Sequence, residues 1–267
     1  MSLAGKCALI TGGSRGIGRG IALKLAEHRA RVCINYVENE SAANDTLAQV
    51  RQRGSDGFTL RADVTQMDQV SAMFSKVKAE FGKLDIFVAN ARPEAPTFFH
   101  APMDITIEQL DAAFDSQVKT FLVSAREAAK LMSEGGRVFA ITYAQGSRTG
   151  GLLPWVAMGS AKAAMESLVR YFAVALATRN ITVNAISPGW TEGSVLNSLP
   201  AHVQDLIRDW HTRGWTPMRR LGTPEDIGNV VRLLCSEDAV WITGQVIFAD
   251  GGASLMNPDM PTEMQIS

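Results

Sequence analysis

The segment ITGGSRGIGRG (10–20) puts Gly12, Gly16 and Gly18 in a TGxxxGxG spacing, directly after a short apolar run and before a helical pattern. Glycine lets a backbone turn sharply and approach a pyrophosphate, whose charge then meets the N-terminus of the next helix. A glycine-rich turn alone is weak evidence, but a strand before it and a helix after it form the context that dinucleotide binding requires. The expected phosphate cradle is Gly12, Ser14, Arg15, Gly16, Ile17 and Gly18. The tip of the second apolar run, INYVENE, bears on which dinucleotide is held. An acidic side chain there would accept from the adenosine ribose and repel a 2′-phosphate. Here Tyr36 stands at that point, Asn35 can donate a hydrogen bond, and Arg15 can face a phosphate, so NADP(H) is expected. Glu38 nearby argues the other way.

Elements that must position these residues follow from the hydrophobic pattern. Apolar runs at 7–11, 31–36, 57–64, 84–90, 136–142, 181–187 and 244–252 alternate with helical patterns at 17–30, 41–53, 67–81, 107–132, 160–177 and 224–235. Strands apolar on both faces and separated by helices predict a parallel sheet covered on both sides. The expected fold is α/β: a Rossmann-type doubly wound parallel sheet of about seven strands in a single domain, 1–255, with a tail at 256–267. The 267 residues carry a formal net charge of −1, which gives no electrostatic case for nucleic acid or an anionic membrane surface. No apolar run is long enough to span a bilayer, and no leader precedes the first strand, so a cytoplasmic protein is expected. Cys7, Cys33 and Cys235 lie far apart in apolar runs and read as buried free thiols. They and the four histidines have no metal-ligand spacing, so no metal is expected.

Several motifs then fall in one order: TGGSRGIG, ADV (62–64), AN (89–90), Lys162, SPG (187–189) and GQVIFADGG (244–252). In that order the chain resembles the short-chain dehydrogenase/reductase family, from about residue 4 to residue 254. The resemblance implies that Asp63 and Val64 hold the adenine and that Asn90 and Ala91 line the cofactor. It places Lys162 on the nicotinamide ribose, Ile186, Pro188 and Gly189 beside the nicotinamide, and a substrate lid at about 190–222. Thr191 and Ser194 flank the position of the family's threonine, here Gly193, and can hydrogen-bond to the cofactor. The family is usually tetrameric or dimeric, which agrees with a helix at 160–177 that is apolar nearly all round.

The catalytic set departs from the family's Asn, Ser, Tyr and Lys. Gln117, Tyr143 and Met158 stand at the first three positions, and Lys162 alone is kept. Arg92 replaces the glycine of the family's Asn-Ala-Gly turn. Reducing a ketone makes an alkoxide and needs a proton donor in place, which a thioether cannot be. Conjugate reduction of an enoyl thioester spreads the charge into an enolate, which needs a hydrogen-bond partner more than an acid. The chain looks most like the family's divergent enoyl-thioester reductases, the cyclohexenylcarbonyl-CoA type included. The expectation is therefore NADPH-dependent reduction of an α,β-unsaturated acyl-CoA or acyl-carrier-protein thioester. Lys162 would position the cofactor and Tyr143 would face the thioester oxygen, with Arg92, Trp155, Met158 and Trp190 in the substrate pocket. Trp210, Trp215, Phe98 and Phe99 are expected as further apolar walls, and Arg92, Arg148, Arg219 and Arg220 as contacts for a carrier's phosphates. Two alternatives stay open: a carbonyl reductase with Tyr143 as acid, and a catalytically silent NADP-binding subunit or sensor.

Overall fold

The computed structural model describes residues 2–93, 99–143, 154–193, 195–256 and 265. Seven strands form one sheet: β1 (Cys7–Ile10), β2 (Arg31–Tyr36), β3 (Gly57–Arg61), β4 (Ile86–Ala89), β5 (Arg137–Ile141), β6 (Thr182–Pro188) and β7 (Val246–Ala249). Their order is β3-β2-β1-β4-β5-β6-β7, and every neighbouring pair is parallel. The order reverses direction between β1 and β4, and such a switch point opens a crevice at the carboxyl ends of the strands.

Alternation along the strands sends side chains to two cores. Leu9, Phe87, Val138 and Val183 face one side, under α3 (Met67–Phe81), α5 (Thr120–Leu131) and α6 (Val156–Leu176). Ile10, Ile34, Val88 and Phe139 face the other, under α1 (Gly16–Glu27), α2 (Glu40–Gln52) and α8 (Pro224–Leu234). The first and last of these helices touch at glycines. A Cβ on Gly20 would stand 2.3 Å from the Pro224 carbonyl, and one on Gly228 would stand 2.7 Å from the Gly20 carbonyl. Lys24 of α1 also pairs with Glu225 of α8 at 2.7 Å.

Three helical features differ from the sequence pattern. The stretch read as one helix over 107–132 is α4 (Ile107–Phe114), a π-helical turn (Asp115–Lys119) and then α5. One extra residue in a helical turn does not disturb a hydrophobic period enough to be read. α6 starts at Val156, before the expected 160, so Met158 lies within it, one turn ahead of Lys162. The lid region holds a helix, α7 (Ala201–Trp210), that lay outside the expected helical patterns and that buries none of its residues. Tyr171 and Val174 on the outer face of α6 are exposed. The tail at 257–264 and 266–267 lies outside the described residues.

Candidate active site

The cofactor turn is built by backbone contact. Gly12 and Gly16 have φ of +61° and +52°, values that L side chains rarely adopt. A Cβ on Gly18 would lie 2.3 Å from the Gly12 carbonyl and 2.6 Å from Asn90 Nδ2, so the glycine is required by close approach. Asn90 braces the turn from the end of β4, donating to the Thr11 carbonyl at 2.9 Å and the Gly12 carbonyl at 3.1 Å. Thr11 Oγ1 accepts from the backbone amides of Asn90 and Ala91. The turn and the tip of β4 are thus one unit.

A cleft of about 530 Å³ opens from this turn along the carboxyl ends of the strands. Its walls bring together Gly12, Ser14, Arg15, Ile17, Asn35 and Tyr36 with Asp63, Val64, Asn90 and Ala91. Lys162, Pro188, Gly189 and Thr191 continue the same wall, and Arg92, Tyr143, Trp155, Met158 and Trp190 complete it. Gly16 and Gly18 shape the turn from behind. Asn35 corrects an expectation: it is buried, its Oδ1 accepts from Gly12 N and its Nδ2 donates to the Ala62 carbonyl at 2.9 Å. Its amide therefore braces the turn and offers no donor to a phosphate. The Asp63 carboxylate accepts from the amide and hydroxyl of Thr65.

The floor is where the chain differs most from its pattern. Met158 is 1% exposed and packs with Trp155, Phe99 and Val195. Tyr143 lies nearly parallel to Trp155, with ring centroids 5.3 Å apart, and Phe99 meets the same indole edge-on. Burial pushes the Tyr143 phenol up to about 12, so it stays protonated and can donate. Lys162 is buried; Nζ donates to Gln117 Oε1 at 2.6 Å and to the Ile141 carbonyl at 2.7 Å. Burial above all, with the Arg92 charge adding to it and Glu166 opposing, brings its ammonium down to about 7.

The lid contributes less than its tryptophans suggested. Trp210 and Trp215 stack on each other at 4.3 Å, and neither lines the cleft. Glu192 does line it, and holds α7 through a bidentate pair with Arg208 at 3.0 and 3.1 Å. Arg220 is engaged by Asp226 at 2.6 and 3.0 Å and is not a cleft residue. Phe98, Arg148 and Ser194 lie outside the described residues. Among the described residues no cluster could hold a metal ion, and no helix is long and apolar enough to cross a membrane. Phe99, expected as an apolar wall, packs in the floor cluster; Gln117 and Glu192 are the site residues that sequence reasoning left without a role, and only Gln117 carried a signal, as a departure from the family's asparagine.

A parallel sheet with a switch-point crevice, a glycine turn under its first helix and a buried lysine across the cleft define a nicotinamide-dinucleotide oxidoreductase. The family model described as enoyl-(acyl carrier protein) reductase matches residues 12–254. The chain belongs to the short-chain dehydrogenase/reductase family, whose members use NAD(P)H. It is 37% identical over 252 residues to 1-cyclohexenylcarbonyl-CoA reductase of Streptomyces collinus, covering 94% of this chain and 88% of the relative. It is 34% identical over 261 residues to trihydroxynaphthalene reductase of Colletotrichum orbiculare, covering 95% and 91%. Among solved structures, an angucycline C-6 ketoreductase with bound NADP matches with a TM-score of 0.85 and 32% identity, over 96% of this chain and 98% of that one.

Proposed function

We propose that this reductase uses NADPH to reduce the C=C bond of an α,β-unsaturated thioester of CoA or an acyl carrier protein. The observation that carries the reading is Met158, buried at the cleft floor one turn from Lys162, where a proton donor would be needed for ketone chemistry. Arg15 in the cradle and Tyr36 in place of an acid support the choice of NADPH. When bound, the cofactor supplies the hydride, which goes to the β-carbon. The residues of the chain do the rest. Lys162 holds the ribose end and adds positive potential beside the nascent enolate. Tyr143, kept protonated by burial, donates toward the thioester oxygen without losing its proton. The α-carbon then takes its proton from water. Phe99, Trp155, Met158 and Val195 form an apolar cluster suited to an acyl or cyclic acyl group. The relative named as a cyclohexenylcarbonyl-CoA reductase supports this reaction class. The exposed Tyr171 and Val174 fit assembly as a homodimer or homotetramer, which gel filtration with light scattering would measure.

A second reading, ketone reduction, is favoured by the naphthalene reductase and ketoreductase relatives. It needs Tyr143 as acid, and burial moves that phenol away from the neutral range in which an acid works best. The test is NADPH consumption on matched enoyl thioesters, 3-ketoacyl thioesters and simple ketones, with Tyr143→Phe alongside. Turnover confined to the enoyl set, with a graded loss in the variant, supports the proposal. Turnover on ketones that Tyr143→Phe abolishes overturns it.

A further inference from the structure

Position 92 holds an arginine where the family's turn has a glycine, so a guanidinium with five N–H donors in a rigid plane stands where there is ordinarily no side chain. Its base is fixed from two sides. The backbone amides of Asn90 and Ala91 donate to Thr11 Oγ1 at 2.9 and 3.1 Å, and the Ala91 carbonyl accepts from Gln117 Nε2 at 3.4 Å. The side chain is half-buried past the carboxyl end of β4 and lines the cleft with Tyr143, Met158 and Lys162. Nη1 donates to the Pro93 carbonyl at 2.7 Å, a bond that steers the plane of the group.

The neighbouring lysine is placed differently. Its Nζ directs donors at Gln117 Oε1 at 2.6 Å, the Ile141 carbonyl at 2.7 Å and the Met165 sulfur at 4.0 Å. What Lys162 adds to a substrate oxygen it therefore adds as charge through space. With its ammonium brought down to about 7, that charge is partial at neutrality. A guanidinium stays protonated in a folded protein. The carboxylates along the described cleft wall stand elsewhere: Glu38 lies past the tip of β2, Asp63 accepts from Thr65, and Glu192 is engaged by Arg208.

We propose that Arg92 is a catalytic residue: its guanidinium donates to the substrate oxygen that takes up negative charge as the hydride arrives. The inference rests on the thioester reading and adds a group to it. As the new C–H bond forms at the β-carbon, the C=C pair moves between the α-carbon and the carbonyl carbon, and the carbonyl pair moves onto oxygen. The guanidinium holds that charge until water protonates the α-carbon, leaving hydroxide, and the oxygen returns to a carbonyl. A donor already in place costs no reorganisation as the charge appears, so it acts on rate more than on ground-state binding. At one oxygen, Arg92 supplies a charged donor and Tyr143 a neutral one.

A CoA carrier offers its phosphates to the same chemistry, and two substrates separate the sources. The experiment is NADPH consumption at saturating NADPH, with one enoyl group carried on CoA and on N-acetylcysteamine, which has no phosphate. It compares the full-length native protein with Arg92→Gln and Arg92→Lys. Arg92→Gln should lower kcat about a hundredfold on both carriers with KM nearly constant, the size of a lost oxyanion donor. Arg92→Lys keeps the charge but loses the planar fork, and should recover part of the loss. Arg92 repels the Lys162 ammonium, so removing it favours the charged lysine. A role relayed through that lysine would raise the rate, and the sign of the change separates it from direct contact.

An unchanged or raised kcat in Arg92→Gln overturns the proposal. So does a raised KM confined to the CoA thioester with kcat kept, which assigns the arginine to the carrier's phosphates. Thermal melts and the Kd for NADPH establish that each variant is folded and loaded; should Arg92→Gln fail either check, Arg92→Met takes its place. If the native protein turns over ketones alone, the thioester reading has failed, and the same variants on a ketone decide this proposal separately by the same change in kcat. No turnover by the native protein on either set overturns both.

Discussion

Replacing Met158 by tyrosine puts the strongest demand on this account of the floor. Met158 is 1% exposed, packed with Trp155, Phe99 and Val195, and one helical turn before Lys162. A tyrosine there adds a ring and a hydroxyl to a filled space, and overpacking of this kind costs about 1–3 kcal/mol. At about 2–4 °C per kcal/mol for a domain of roughly this size, the melting temperature should fall by about 2–12 °C. The hydroxyl, if it lies along the cleft wall, stands beside the ammonium that would acidify it. A placed general acid contributes about 10²–10⁴ in rate, so Met158→Tyr should gain at least about a hundredfold in ketone reduction. Enoyl reduction should change by much less, because the acid is not what that reaction lacks. The assay is NADPH oxidation on paired ketone and enoyl substrates, with Met158→Leu as a control that keeps the bulk and adds no donor. The reasoning is refuted if the native protein already reduces ketones efficiently, or if a folded Met158→Tyr variant that binds NADPH gains nothing on them.

Other expectations follow from single contacts. Gly18→Ala puts a methyl 2.3 Å from the Gly12 carbonyl and should weaken NADPH binding by tenfold or more, about 1.4 kcal/mol per decade, as measured by fluorescence titration. Arg208→Gln removes the bidentate pair with Glu192; both side chains are partly exposed, so the melt should move little. The KM for the reducible substrate should instead rise as α7 loosens, with the Kd for NADPH nearly unchanged. Burial lowers the His211 imidazole from its ordinary 6.5 to about 4. The unfolded chain then binds a proton that the folded one refuses between those values, so stability should fall as pH drops from 6.5 toward 4. His211→Asn should flatten that slope in urea unfolding series at stepped pH.

The cofactor half was legible because its residues are chosen by backbone geometry. Gly12 and Gly18 are glycine on account of a positive φ and a 2.3 Å approach, and such constraints leave residue-type marks in a sequence. The strands were legible for the same reason, since burial on both faces leaves short continuous apolar runs. The floor was legible only as a set of substitutions. Nothing in the letters says that Gln117 reaches Lys162 directly, because that depends on a π-turn one residue longer than the helical period around it. Asn35 misled because an amide at a strand tip can turn outward or inward, and only the nearby Gly12 amide and Ala62 carbonyl decide. Trp210 and Trp215 misled because large aromatic rings satisfy each other as readily as they line a pocket.

The glycine contact between α1 and α8 has a consequence for how the protein comes to exist. α1 follows the phosphate turn near the start of the chain, and α8 lies beyond the lid, close to its end. Gly20 and Gly228 let the two backbones meet, and Lys24 with Glu225 closes the seam. During synthesis the first helix therefore waits, its matching surface unmade, until α8 has emerged, Glu225 standing 201 residues after Lys24. Pairings so distant in sequence form late and slowly, and a chain cut short before α8 leaves apolar surface of α1 bare. The nucleotide cradle is encoded ahead of almost every other element of the sheet, yet it acquires its full bracing from a helix some way past the lid.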